Sequence, residues 1–359
     1  MNYSKSLDGL RGIAILLVCF YHWNVPGFRG GFFGVDIFFV LSGYLITSIL
    51  LKEYQYYNNI DFKKFYFRRM LRLCPAFIFL LSVYMVIACF LNNTCNHVID
   101  ILIALFYVSN WSLTRGTHQP KMIGHTWSLS IEEQFYILWP LSMYVVLKKF
   151  GPRVLLIGTF LLALASTCER GIIVGSGYEL SYPALARVYF ALDTRIDCLL
   201  YGCLLGIFIH YSNKFMYSKH ICFLLQFMGW LGIVFIVVSA RDMEKTWVMR
   251  YGVCLVAFST ICLLLSINMP KENRTINFLS SSIFVWFGKR SYGLYLWHYF
   301  VIKLFDLIKH INGRTVLAAI TAIIITEISY RWIEKPTLAL KDRIRFKSNV
   351  NQSLELASG

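Results

Sequence analysis

The chain has 359 residues, of which 57% are hydrophobic and only 15% are charged. Soluble domains contain about 25% charged residues, whereas apolar runs of about 18–22 residues recur here from end to end. These features exclude a soluble enzyme and predict an all-α, polytopic membrane protein. The net charge of +16 does not indicate a nucleic-acid partner, because Lys and Arg concentrate in alternate loops, as the positive-inside rule describes.

The first predicted membrane helix, residues 7–25, carries Arg11 near one end and His22 near the other. Their separation is close to three helical turns, so both side chains lie on one face, about 16 Å apart. Ionisable groups inside a span are costly and are usually kept for function. A snorkelling arginine and an interfacial histidine are the structural alternative for each residue alone. Their shared face favours a functional interpretation.

The second predicted helix, residues 31–51, places Asp36 about two turns below the outer surface. Gly34 and Gly43 on this helix would let a neighbouring helix approach closely. The basic residues 52–72 are predicted to form an inner loop. A third helix, residues 73–91, is then predicted to begin with a proline in its first turn, where proline is tolerated.

Residues 99–113 are apolar but form a run too short for a regular span. The predicted helix before them starts on the inner side, and the predicted helix after them, residues 125–147, ends there. The intervening segment is therefore not expected to cross completely. We predict a re-entrant or interfacial helix within an outer segment at residues 92–124.

The remaining apolar runs alternate with polar or basic connections. They predict spans at residues 154–168, 188–210, 221–240, 247–267, 291–308 and 315–333. The total is about ten crossings, with both termini inside. Residues 277–287 predict an amphipathic helix on the inner surface. Residues 1–336 thus form one predicted transmembrane domain, followed at 337–359 by a basic and polar tail.

His22 is the candidate general base, because histidine is the side chain whose ordinary pKa lies near neutrality. Activation of a sugar hydroxyl would need such a base and a carboxylate that holds its ring. Asp36, on the next helix at a similar depth, is the first candidate for that carboxylate, and Glu132 is the second. The alternative is that these carboxylates only neutralise Arg195 or Arg11.

A stripe of polar side chains marks the helix predicted after the short apolar run. Ser128, Glu132 and Tyr136 follow one another at intervals of four residues, so they share one helical face. A stripe of polar side chains is not needed for packing in a membrane helix, so it favours a functional role. For Arg195 and Asp197, further along the chain, a structural ion-pair role is at least as strong a hypothesis as a functional one.

The basic inner segment offers a second candidate site. Arg68, Arg69 and Arg72, just before Pro75, could simply meet lipid phosphates at the membrane surface. The sharper hypothesis is a clamp for the phosphates of a nucleotide-bearing donor, since guanidinium binds phosphate bidentately. Arg11 would continue the donor path towards His22. No GxGxxG, GxxxxGK[ST] or CxxC motif occurs, so no dinucleotide site, P-loop or metal site is predicted.

Seven motifs together resemble the acyltransferase-3 family of integral membrane acyltransferases, and they occur in the family's order over nearly the whole chain. They are Arg11-x10-His22, GVDIFFVLSGYLI at 34–46, RRMLRLCP at 68–75, TWSLSIEEQFY at 126–136, RIDCLLYGCLLG at 195–206, SYGLYLWHYFV at 291–301 and SYRWIEKP at 329–336.

This resemblance implies an O-acyltransferase that moves an acyl group, most often acetyl from acetyl-CoA, to a hydroxyl of an extracytoplasmic or lipid-linked carbohydrate such as O-antigen or exopolysaccharide. The arginine and histidine of the first motif are essential in the family. The residues that match its functional positions are Arg11, His22, Arg69, Arg72, Ser128, Glu132 and Tyr136. The residues of the later motifs that are predicted to shape the substrate site are Arg195, Asp197, Tyr295 and His298.

The implied location is the bacterial cytoplasmic membrane, with both termini cytoplasmic, and the implied partners are acyl-CoA, the carbohydrate and membrane lipids. Some family members add an SGNH hydrolase-like domain that completes the transfer. This chain resembles the stand-alone members, which leaves the need for a separate extracytoplasmic partner open. A transporter or flippase is the alternative from another class, although two matching halves with broken helices are missing. Transfer of another acyl group, such as succinyl, is the third hypothesis.

Overall fold

The computed structural model describes residues 4–175, 177–212, 218–240, 242–269, 273–307 and 313–340. Within these ranges the regular elements are helices, and one antiparallel bridge joins Glu179 to Lys245. The α-helices are α1 Lys5–His22, α2 Gly34–Tyr57, α3 Phe62–Ala88, α4 Thr94–Leu105, α5 Ser109–Arg115, α6 Trp127–Val174, α7 Tyr182–Phe190, α8 Leu192–Tyr211, α9 Lys219–Ser239, α10 Val253–Asn268, α11 Arg274–Leu279, α12 Ser282–Lys289, α13 Ser291–Asp306 and α14 Arg314–Ser329. The predicted all-α class is confirmed.

Six helical segments in the described part of the chain are long and apolar enough to cross a membrane, or seven if one bent helix pair counts as a span. The six are Arg29–Tyr57, Phe62–Ala88, Gly124–Val174, Lys219–Ser239, Val248–Asn268 and Arg314–Leu340. The protein is therefore a polytopic membrane protein. Helices α1 and α8, which each carry three charged residues, and α13, which is 16 residues long, are not among the six. The count of about ten crossings stays a prediction.

Helix α6 is divided by a break at Gly151, whose φ of 80° and ψ of 179° are not helical. Glycine tolerates this backbone conformation, and Pro152, which follows it, starts a helix well because its missing N–H needs no partner there. The predicted division of this stretch into two helices is confirmed.

The basic segment at 52–72 is not a loop, as we had predicted, but is mostly helical. Helix α2 continues to Tyr57, and Asp61 caps α3 by accepting a hydrogen bond of 2.9 Å from the backbone N–H of Lys64. Pro75 consequently lies inside α3 rather than in its first turn. The prediction was wrong because hydropathy marks only the apolar part of a helix, whereas a good cap lets α3 begin earlier in polar sequence.

The short apolar run forms two helices instead of one. Helices α4 and α5 are bent by 119° relative to each other, and Tyr107 between them has a positive φ of 53°. Whether this segment re-enters the membrane or crosses it stays a prediction. The amphipathic helix expected at 277–287 is also two pieces, α11 and α12, interrupted after Leu279.

The chain folds into two compact units. The first unit comprises Met1–Ile60 and Leu102–Ser291, and the second comprises Asp61–Ile101 and Tyr292–Gly359. Of the predicted tail at 337–359, positions 341–359 lie outside the described residues, as does the expected end of the span at 291–308.

Close backbone contact holds the first unit together around α2. A Cβ atom on Gly43 would lie 1.9 Å from the carbonyl oxygen of Leu199 in α8, and one on Gly34 would lie 2.3 Å from that of Ala14 in α1. Only glycine leaves room for helices at this separation. The predicted role of Gly34 and Gly43 is confirmed, and α2 is thereby fixed between the two helices that carry most of the polar residues considered above.

Candidate functional site

His22 ends α1, and its ring orientation is set by its own helix. The Nδ1 atom lies 3.0 Å from the carbonyl oxygen of Val18, one turn earlier. A carbonyl oxygen only accepts, so Nδ1 carries the proton, and the lone pair of the neutral ring is on Nε2. This tautomer suits a general base that acts through Nε2.

Arg11 is joined to the first turn of the same helix. Its Nη1 atom lies 3.4 Å from Oδ1 of Asp8, and both side chains are largely buried. Negative charge is favourable at a helix N-terminus, so Asp8 serves both the helix and the arginine. Asp8 was not among the predicted site residues, although its spacing of three residues from Arg11 indicates such a pair. The donor-binding role of Arg11 stays a prediction.

Asp36, our first choice of carboxylate to orient the His22 ring, pairs with Arg195. Its Oδ1 atom lies 2.7 Å from Nη2 of Arg195 and accepts a hydrogen bond of 3.4 Å from Sγ of Cys198. Both charged side chains are 0% exposed. Asp36 sits on the face of α2 that packs against α8, so the alternative in which it neutralises Arg195 is the one that the structure supports.

Aromatic rings enclose the guanidinium of Arg195. Its central carbon lies 5.1 Å from the ring centroid of Tyr189 and 5.8 Å from that of Trp127. Cation–π attraction of this kind strengthens when the cation is desolvated. Among the described residues, however, Nε and Nη1 of Arg195 and Oδ2 of Asp36 have no hydrogen-bond partner.

Asp197 forms a second buried ion pair, with a residue that sequence reasoning missed. Nη1 of Arg170 lies 2.6 Å from Oδ2 of Asp197. We had ended the preceding span at residue 168 and left Arg170 in an outer loop, but α6 continues to Val174. The apolar Ile172, Ile173 and Val174 that follow Arg170 were the signal for a longer helix.

The polar stripe on α6 faces the interior of the first unit. Ser128 and Tyr136 are buried, and Glu132 is half-buried. Oε1 of Glu132 accepts a hydrogen bond of 2.8 Å from the hydroxyl of Ser42 in α2. Of the two carboxylates considered for His22, Asp36 pairs with Arg195 and Glu132 accepts from Ser42. Glu132 is therefore the better candidate to contact the His22 ring.

A second charged cluster lies at the surface of the same unit. Arg187 in α7 donates to both carboxylate oxygens of Asp193, at 2.6 Å each, and to Glu169 at 2.7 Å. Partial burial alone would lower the pKa of Arg187, but hydrogen bonds and charges from these two carboxylates outweigh it and keep that pKa above its ordinary value. The cluster is a solvated network that joins α7 to its neighbours.

The other candidate residues belong to the second unit. Arg69 is half-buried and Arg72 is exposed, three positions apart on α3, so they share one side of that helix. His298 is fully buried in α13, with Nδ1 3.0 Å from the carbonyl oxygen of Leu294 and its ring 5.6 Å from that of Tyr295. Among the described residues, no group of three or more His, Cys, Asp or Glu side chains is placed to hold a metal ion.

The fold is that of a polytopic membrane protein. Residues 4–329 match a family described as an acyltransferase domain, and the chain therefore belongs to the acyltransferase-3 family that its motifs resemble. It is 35% identical over 354 residues to the O-acetyltransferase OatA of Staphylococcus aureus, a match that covers 93% of this chain and 57% of that protein. It is 36% identical over 353 residues to the peptidoglycan O-acetyltransferase OatA of Listeria monocytogenes, with 93% and 56% covered. The chain thus spans little more than half the length of these relatives. No solved structure matches it.

Proposed function

We propose that the protein transfers an acetyl group from acetyl-CoA to a hydroxyl of a cell-surface glycan. Family membership supports acyl transfer, and the names of the relatives support acetyl as the acyl group. Because one relative is named for peptidoglycan, peptidoglycan is the first acceptor to test, ahead of O-antigen or exopolysaccharide. The proposed location is the bacterial cytoplasmic membrane, with both termini cytoplasmic.

The observation that carries this proposal is the hydrogen bond between Nδ1 of His22 and the carbonyl oxygen of Val18. It directs the basic lone pair of the ring to Nε2. In the proposed reaction, Nε2 takes the proton of the acceptor hydroxyl while the oxygen attacks the thioester carbon. The carbon–sulfur bond breaks, coenzyme A leaves as a thiolate, and the imidazolium returns the proton to that sulfur. Products are the acetyl ester and free coenzyme A.

We assign the stabilisation of the imidazolium to Glu132, because Asp36 is committed to Arg195. Arg69 and Arg72 would bind the donor phosphates, and the face of α1 from Arg11 to His22 would line the path of the thioester. Replacement of Arg69 or Arg72 by lysine keeps the charge and loses the bidentate fork, so it should weaken acetyl-CoA binding without loss of folding.

The direct test measures transfer of labelled acetyl from acetyl-CoA to peptidoglycan fragments by purified protein in lipid. His22→Ala should abolish transfer. His220→Ala, at an exposed position at the start of α9, is the matched control and should retain it. Label that accumulates on the far side of vesicles without covalent attachment to glycan would instead favour the transporter hypothesis. Comparison with succinyl-CoA tests the identity of the acyl group.

A second experiment distinguishes direct transfer from an acetyl-His22 intermediate. Labelled acetyl-CoA is supplied without acceptor, and the protein is digested and analysed by mass spectrometry. The direct mechanism predicts an unmodified His22. An acetyl group on His22 that passes to glycan when acceptor is added would replace the direct mechanism by a two-step relay.

A further inference from the structure

The second unit contains buried hydroxyl groups that its own side chains do not satisfy. Thr326 is 1% exposed and Ser329 is 0% exposed. In membrane helices such hydroxyls usually bond to a carbonyl about one turn earlier. Neither of these does so, and neither has a hydrogen-bond partner among the described residues. Unused polar capacity at full burial indicates a position that a bound molecule or water completes.

A buried carboxylate lies beside these hydroxyls because the helix changes its winding. Residues Tyr330–Glu334 form a π-helix. In a regular α-helix, positions 329 and 334 would point about 140° apart. The wider π turn, with bonds from i to i+5, brings Glu334 round to the Ser329 side. Glu334 is accordingly only 5% exposed.

Gly293 in α13 leaves space for this carboxylate. A Cβ atom there would lie 2.5 Å from Oε1 of Glu334 and 3.4 Å from Cγ2 of Thr326. Four residues later on the same face of α13, Trp297 is 1% exposed and packs its ring against Phe79 at 5.4 Å. Its indole N–H has no hydrogen-bond partner among the described residues. We call Thr326, Ser329, Glu334 and Trp297 the polar pocket.

The polar pocket adjoins the helix that carries the basic segment. The π-helix packs against α3 within the second unit. The hydroxyl of Tyr292, next to Gly293, donates a hydrogen bond of 3.0 Å to the carbonyl oxygen of Leu73. Leu73 directly follows Arg72, so the pocket and the proposed phosphate clamp belong to one cluster of helices.

We propose that the polar pocket binds the amide-bearing pantetheine arm of acyl-CoA, next to the phosphates held by Arg69 and Arg72. This inference rests on the proposed function. An amide has a carbonyl oxygen that accepts a hydrogen bond and an N–H that donates one. The pocket contains both donors and an acceptor to match. The indole N–H of Trp297 and the two hydroxyls donate to carbonyl oxygens, and the carboxylate of Glu334 accepts from amide N–H or hydroxyl groups. A metal ion fits less well, because an indole N–H cannot be a ligand.

The test compares two donors on purified protein in lipid: acetyl-CoA and S-acetylpantetheine, which lacks the nucleotide. Thr326→Val and Ser329→Ala should each weaken binding of both donors by the same factor, about three- to tenfold. Arg69→Lys should weaken binding of acetyl-CoA but not of S-acetylpantetheine. Thr321→Val, on the same helix but outside the pocket, is the matched control and should bind both donors normally.

Two further variants keep the result interpretable if a hydroxyl replacement impairs folding. Thr326→Ser retains the hydroxyl and should restore binding. Trp297→Phe retains the ring packing on Phe79 but removes the indole N–H. It should weaken binding of both donors. If all pocket variants bind both donors with normal affinity, the polar pocket does not bind the pantetheine arm. The proposed function would be unaffected by that result. Failure of the wild-type protein to bind acetyl-CoA would overturn the proposed function itself.

Discussion

Two fully buried arginine–aspartate pairs lie among the described residues of the first unit, and they are built differently. Arg170 donates to the carbonyl oxygens of Met249 at 3.1 Å and Thr194 at 2.8 Å, in addition to its contact with Asp197. Asp197 in turn accepts from the Thr167 hydroxyl and from its neighbour's backbone N–H, at 2.9 Å each. The pair is saturated with hydrogen bonds.

The second pair has one ionic contact and aromatic walls. Arg195 reaches Asp36 through Nη2 and otherwise lies against Trp127 and Tyr189. Within the described residues, two of its nitrogen atoms and one carboxylate oxygen of Asp36 lack hydrogen bonds. The comparison shows that burial and charge alone do not define an ion pair's role. The first pair joins helices by directional bonds, whereas the second depends on ring faces to offset desolvation.

The largest expected effect comes from removal of one partner of the saturated pair. Arg170→Met should lower the free energy of unfolding by about 3–5 kcal/mol, because the Asp197 carboxylate stays buried without its counter-ion. The adjacent Glu169→Gln, in a partly exposed pair, should cost less than about 1 kcal/mol. Thermal unfolding of purified protein measures both. Equal stability of the two variants would contradict the assignment.

Lysine substitution should separate the two pairs by a smaller margin. Arg170→Lys cannot reach several acceptors at once and should cost about 2–3 kcal/mol, since two buried carbonyl oxygens lose their donors. Arg195→Lys keeps a charge beside Asp36 and between the rings, and should cost about 1 kcal/mol. The same unfolding measurement applies. A larger loss for Arg195→Lys would reverse the comparison.

The smallest effect is the coupling between Arg195 and its aromatic wall. A double-mutant cycle of Arg195→Met and Trp127→Leu should give a coupling energy of about 1 kcal/mol. Trp139, whose indole N–H donates to the Thr47 hydroxyl at 2.9 Å, supplies the control cycle. Its coupling with Arg195 should be close to zero. Similar coupling energies in both cycles would show that the ring face of Trp127 does not stabilise Arg195.

The sequence predicted local features of the fold well, but it predicted poorly which side chains contact one another. Apolar run length predicted the membrane class and the division of α6 into two helices, because this signal is local. Helical periodicity shows which residues share a face but not which neighbour that face meets. Asp36 was therefore assigned to His22, whereas its partner is Arg195 on α8.

Helix ends explain the remaining errors. Arg170 was left in a loop because hydropathy falls at Glu169, yet the helix continues and buries its charge against Asp197. The basic segment before Pro75 was treated as a loop for the same reason. The unused hydroxyls of Thr326 and Ser329 could not be predicted, because their burial depends on a π-helix that no periodicity in the sequence indicates.

The contact of α1 with α12 has a consequence for biogenesis. A Cβ atom on Gly12 would lie 2.1 Å from the carbonyl oxygen of Phe284, and one on Gly288 would lie 1.7 Å from that of Asp8. The helix that carries Arg11 and His22 is synthesised well before this packing partner, because Gly12 and Phe284 lie 272 positions apart in the chain. At roughly 5–20 residues per second, the ribosome needs on the order of tens of seconds to produce it. During that interval the glycine-lined face of α1 lacks its final neighbour, so other contacts must cover that face until α12 has been made.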